Sequence, residues 1–199
     1  MKPTGKSTSA YHIFERLNTG GTPLKPQEIR NCVFRGEFNK RLKKANEDVN
    51  WRRILGKSYL DKRQKDIELL LRVFSLVGAS DEYEKPMKEF LNRAMKTHDS
   101  GTSEKAIGFF KTFGEVTESI IQSLGEKPFH LRGPLNASAL DSVMSVLIEY
   151  HQEIDYRELK ARYSDLKNDA DFNESTRINT ADTKTVRKRT KKVKEYLVG

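Results

Sequence analysis

The sequence predicts an all-α fold, a multi-helix bundle of about eight to ten helices spread over its 199 residues. Three observations carry this. Apolar residues recur at i, i+3, i+4 and i+7 in nearly every segment. Period-two alternation is almost absent. Glycine, proline and short polar clusters interrupt the chain at helix-length intervals. No internal repeat is visible.

The elements follow in order. Ser9 to Asn18 forms a short helix with Ala10, Ile13, Phe14 and Leu17 on one side, and Gly20-Gly21 ends it. Pro23 and Pro26 hold an extended connection, and Pro26 opens a helix running to about Phe34, ahead of Gly36. A polar helix covers roughly Glu37 to Asn46, and an amphipathic one, Val49 to Leu55, stops at Gly56. Asp61 with Gln64 reads as a capping box before Ile67, Leu70, Leu71, Phe74 and Val77, the strongest core helix. Tyr83 to Met95 places Met87, Phe90, Leu91 and Ala94 inward. A loop from His98 to Thr102 leads into a long helix carrying Ile107, Phe110, Phe113, Val116, Ile120, Ile121 and Leu124. Gly125 to Pro134 is irregular. Leu140, Val143, Met144, Leu147 and Ile148 form the next stripe, and Asp155 with Glu158 reads as a second capping box opening a helix to about Leu166. Asp169 to Thr180 reads as a polar loop, and a basic helix from Asp182 to Leu197 follows it.

Composition narrows the function classes. Hydrophobic residues make up 36% and charged residues 33%, polar but compatible with a folded helical protein. No apolar run approaches the roughly 18–20 residues of a membrane span and no signal-peptide core follows Met1, so the expected compartment is the cytoplasm and no membrane partner is expected. The single cysteine, Cys32, excludes an intrachain disulfide and a cysteine-based zinc cluster. The formal charge of +9 is uneven: residues 1–100 hold 21 Lys/Arg against 13 Asp/Glu, residues 101–183 hold 9 against 14, and residues 184–199 hold 7 against 1. Basic stretches of this kind attract phosphate polymers, and DNA is therefore a candidate partner.

The familiar catalytic signatures are missing: no Walker loop, no dinucleotide fingerprint and no His-Glu-x-x-His. His12, His98, His130 and His151 lack metal-ligand spacing, and no metal ligands are assigned. The densest concentration of ligand-capable groups is Ile13-Phe14-Glu15-Arg16-Leu17-Asn18-Thr19-Gly20-Gly21, followed by Leu24, Pro26, Gln27, Glu28, Ile29, Arg30 and Asn31. The residues alone allow two readings. In one, loop amides and a helix N-terminus make an anion site, with Arg16 gripping a phosphate and Asn18 positioning a water, metal or ribose. In the other, Asn-Thr-Gly-Gly is a helix stop and Glu15/Arg16 a solvated pair.

That block resembles the second signature of a large bacterial family, the nucleotide-hydrolysing N-terminal domain of GmrSD-type modification-dependent restriction endonucleases. The family also occurs as stand-alone proteins and in phosphorothioate-sensing phage-defence proteins. Looser similarity continues through Trp51-Arg52 with Ile54-Leu55, Arg63 and Asp66 leading into Leu71-Arg72-Val73-Phe74, then Tyr83, Met87, Phe90-Leu91-Asn92 and the stretch from Thr180 to Arg189. Members are similar to the ParB/sulfiredoxin fold, and their first signature, an Asp-Gly-Gln-Gln-Arg block, has no counterpart here. The resemblance implies that residues 1–35 are a remnant of a ParB-like nucleotide-binding domain and that 36–199 form a helical domain with a basic C-terminal helix. It makes Glu15, Arg16, Asn18, Thr19, Gly20 and Gly21 the nucleotide-binding candidates. It implies an NTP with a divalent metal as cofactors of a full-length protein, none for this chain alone, and no hydrolysis without the first block. The expected partners are an upstream ParB-like half or a partner nuclease. The competing expectation is a non-enzymatic helical module that contacts DNA through Lys184, Arg187, Lys188, Arg189, Lys191 and Lys192, or recruits a partner.

Overall fold

A computed structural model describes residues 6–17 and 22–199. Among the described residues there are eleven helices and no strand: α1 (Lys6–Leu17), α2 (Pro26–Val33), α3 (Glu37–Ala45), α4 (Val49–Leu55), α5 (Lys65–Leu76), α6 (Met87–Thr97), α7 (Glu104–Leu124), α8 (Ala137–Glu149), α9 (Leu159–Asn168), α10 (Ala170–Ser175) and α11 (Thr183–Leu197). The all-α expectation is met. No helix among them is long and apolar enough to cross a membrane.

The centre is the α5–α8 pair, with α7 and α11 laid against α8, α4 and α3 against α7, and α6 against α5. Helix α8 is central because every residue from Ser138 to Ile148 is buried. Its apolar side chains fill the contacts, while its serines answer their hydroxyls locally: Ser142 Oγ donates to Ser138 O at 2.7 Å and Ser145 Oγ to Ser142 O at 3.0 Å. Such small side chains also let neighbouring helices approach. Phe38, Phe74, Phe109 and Phe113 form an aromatic seam along α3, α5 and α7, with Phe38 and Phe74 centroids 4.5 Å apart. Two glycines matter to this seam's framing. Gly56 ends α4 in the left-handed region at φ 67°. Gly36 abuts the backbone and side chain of Asp99, leaving no room for a Cβ.

Several boundaries differ from the sequence reading. Helix α5 starts at Lys65, not at an Asp61 cap, because the Asp61 carboxylate turns to the Arg63 N–H while the Asp61 N–H donates to Asp66. Likewise Asp155 is taken by Arg157, so α9 begins at Leu159 without a capping box. Tyr83 precedes α6 as a buried turn residue, and the helix begins only after Pro86. The polar stretch after Asp169 contains a helix, α10: the Asp169 carboxylate caps Phe172 N at 2.8 Å, and the Phe172 ring is buried. His151 lies beyond the end of α8, its ring held between Tyr156 Oη (2.9 Å) and Glu115 (3.0 Å). Ile107, among the apolar residues read on the long helix, is exposed, while Ala106 and Phe109 are buried.

Candidate functional site

The described residues of the segment from Ile13 to Asn31 belong to α1, α2 and the residues just before α2, and these helices are seated on α6 and α5. Helix α2 starts as its sequence dictates. Pro26 occupies the first turn, and the Glu28 carboxylate reaches back to the Lys25 N–H at 2.6 Å. Glu28 also receives Arg63 Nε at 3.0 Å, and Arg63 Nη2 holds Pro23 O at 2.6 Å, which fixes the entry of α2 against the start of α5. On the inner side Arg30 is buried, with Nε on Gln27 Oε1 at 3.0 Å and Nη2 on Glu68 at 2.9 Å. Burial lowers the Arg30 pKa, and the Glu68 carboxylate opposes that shift. Tyr11 of α1 is also fully buried, and burial pushes its hydroxyl up to about 12 against the pull of the Arg30 charge. Arg30 Nη1 and Tyr11 Oη have no hydrogen-bond partner among the described residues.

The outer face of α1 reverses the expectation. Ile13, Phe14 and Leu17 form the apolar side of the helix, the side a core would ordinarily cover, yet they are 58%, 45% and 76% exposed, and Tyr11 is the residue that anchors the helix. The apolar stripe faces solvent because α1 packs on α2 and α6 through the Tyr11 side of the helix. Of the nucleotide candidates, Glu15 is committed to Lys88 of α6 (3.0 and 3.2 Å) and lies 3.6 Å from His12 Nδ1. Arg16 is exposed and has no ion pair among the described residues. Asn18, Thr19, Gly20 and Gly21 lie outside the described residues. Sequence reasoning gave no role to Tyr11, Lys88 or Glu68. Gln27, Arg30 and Asn31 carried a visible signal, polar groups at i, i+3 and i+4 of one short helix; Lys88 carried none.

No protein-family model, curated protein or solved structure matches this chain.

Trp51, Arg52, Asp66 and Arg72 sit in the scaffold. Arg52 and Asp66 are a buried pair at 2.7 Å, and Trp51 Nε1 donates to Asn46 Oδ1 at 2.9 Å. Burial alone would raise the Asp66 pKa; the Asp61 N–H, Asn46 and Arg52 outweigh it and hold the carboxyl below its ordinary value. Arg72 of α5 reaches Asp141 of α8, with Nε at 2.9 Å.

The basic helix α11 also needs correction at one position. Arg189 is fully buried, which withholds it from any DNA surface. Its Nη1 donates to Ser175 O (2.8 Å) and Thr180 O (3.2 Å), and its Nη2 lies 3.5 Å from Asp141 Oδ1. Burial first, and then the like charge of Arg72, work against its charged form, so its pKa falls despite Asp141. Asp141 thus lies between two arginines. The remaining cations stay at the surface: Arg187 pairs with Glu84 (2.7 Å), Lys188 with Asp171 (2.9 Å), Lys192 with Glu195 (3.2 Å) and Lys191 with Glu195 (3.9 Å). Lys184 lines a second depression together with Lys188 and Asp171. Arg187, Lys188, Lys191 and Lys194 line a groove of about 280 Å³ beside Ser80 and Asp81.

Proposed function

We propose that the chain is the helical portion of a GmrSD-type defence NTPase and supplies one wall of its nucleotide site. The observation that carries this is the outer face of α1: Ile13, Phe14 and Leu17 lie open beside an exposed Arg16, on the helix that begins the signature block. A ParB-like half resting on that apolar face would bring its phosphate-binding groups next to Arg16 and the Asn18–Gly21 segment. The residues at hand fit such a ligand in part. Arg16 is available for a phosphate, whereas Glu15 is held by Lys88, so carboxylate ligands for a divalent metal would come from the ParB-like half. The bound metal would neutralise charge on the phosphates; the role of this chain is to position them. A protein that carries both halves should hydrolyse NTP, and Arg16→Ala or Asn18→Ala should lower turnover with the helical fold intact by circular dichroism. Unchanged turnover in both variants removes the site assignment.

A second reading, a DNA-contacting module without enzymatic activity, draws on the groove that gathers Arg187, Lys188, Lys191 and Lys194. The carboxylate partners of Arg187, Lys188 and Lys191 are exposed, and exposed pairs of this kind are weak enough to give way to phosphates, whereas Lys194 is held by the part-buried Glu149. Engagement of about 4 phosphates would make log affinity fall with log salt at a slope near −3.6 for duplex DNA. No measurable binding of duplex DNA at low salt would end this reading.

A further inference from the structure

Between α5, α6 and the start of α7 lies a cavity of about 560 Å³, far from the signature block in sequence and built from unlike materials. Val77, Phe90 and Ala94 supply an apolar side, while Arg93, His98 and Lys105 supply the polar one. Lys105 is the unusual member. Its ammonium is half-buried, 5.0 Å from the centroid of the Phe74 ring, and its hydrogen bond goes to Ser75 O at 3.2 Å. It forms no ion pair with any carboxylate among the described residues. Glu82, on the cavity rim, and Glu149 act on it only at longer range.

His98 adds a neutral donor. Ser103 Oγ accepts the Ala106 N–H at 3.3 Å and lies 2.6 Å from His98 Nδ1, so the serine hydroxyl is free to donate to Nδ1, which leaves the proton on Nε2. Burial, and secondarily the charge of Lys105, lower the His98 pKa and keep the ring neutral near pH 7.

We propose that this cavity binds a small organic monocarboxylate, its head group on Lys105 and Arg93 and its apolar body against Val77, Phe90 and Ala94. The volume lies within the range of small-ligand sites, which are mostly apolar with a few convergent polar groups. A half-buried cation without a carboxylate lacks the counter-charge that would offset its lost hydration, and a ligand anion provides it. The cations on this cavity are Lys105 and the exposed Arg93, with the Glu82 carboxylate on the same rim, a balance that matches a monoanion better than a phosphate dianion.

Benzoate is a suitable probe, and benzylamine, with the same ring and the opposite charge, is its control. Benzoate should bind saturably to the whole chain at pH 7 and benzylamine should not. Lys105→Gln should weaken benzoate about tenfold or more, the loss expected for a hydrogen bond to a charged group. Burial lowers the Lys105 pKa to about 8, so benzoate affinity should fall as pH rises through that value and the ammonium is lost; Arg93, His98, Glu82 and Glu149 are the other titratable groups that face it. In the wild-type protein, bound benzoate should raise the Lys105 pKa as read by NMR of the lysine side chain, a measurement that does not depend on the variant folding. Equal binding of benzylamine, wild-type affinity in Lys105→Gln, an unshifted Lys105 titration, or no saturable response to about 10 mM benzoate would each overturn the proposal.

Discussion

The α1–α2 pair and the α8–α11 pair handle charge and apolar surface in opposite ways. Helix α1 carries the chain's most distinctive sequence, yet it turns Ile13, Phe14 and Leu17 to solvent and is anchored by a single buried tyrosine. Helix α11 reads as a solvated basic helix, yet it buries Val186, Arg189, Thr190, Val193 and Leu197 against the centre of the bundle. Apolar periodicity therefore marks a core in one place and an open face in the other. Charge density marks a surface in most of α11 and an interior ion cluster at Arg189. The difference teaches that a pattern gives the faces of a helix, while its neighbours decide which face is covered.

This contrast can be broken or sharpened by substitution, starting where the stake is greatest. Asp141→Ala leaves the buried Arg189 and the part-buried Arg72 without their shared carboxylate, and should cost about 3–5 kcal/mol of stability in urea unfolding. Arg189→Met should cost less, about 1–3 kcal/mol, because it removes one of two like charges and keeps the Arg72–Asp141 pair, while Ser175 O and Thr180 O lose their donor. A cost for Arg189→Met equal to that of Asp141→Ala would mean that the hydrogen bonds to α10 and the loop after it, not the shared carboxylate, fasten α11. At the other pole, Phe14→Ser and Leu17→Ser should change the stability of this chain by no more than about 0.5 kcal/mol, since neither side chain is buried. A loss of several kcal/mol would show that α1 has a covered apolar face after all, and the contrast between the two regions would collapse.

The all-α architecture was legible because helix periodicity is a local property. Helices α4, α7 and α8 are seen where their stripes and stops predicted, with Asp48, Ser103 and Asn136 as side-chain caps. The failures share one cause. Asp61 and Asp155 have the spacing of capping boxes, but Arg63 and Arg157 compete for their carboxylates. Asp169 looked like loop chemistry, yet it caps α10 because Phe172 three residues on has a core to enter. Of this region, helices α1 and α2 were legible and their surroundings were not. Nothing near Glu15 in sequence announces Lys88, 73 positions away, and nothing near Arg189 announces Asp141. Long-range charge pairing leaves no local trace in the chain.

The position of Asp141 also bears on how the protein is made. During synthesis α8 leaves the ribosome well before α11, so Asp141 first meets Arg72 alone and the side of α8 that α11 later covers stays open. A nascent or prematurely terminated chain that stops ahead of Thr183 therefore presents an uncovered apolar face, the kind of surface that chaperones hold and proteases clear. Docking of α11 then closes that face of the central helix α8.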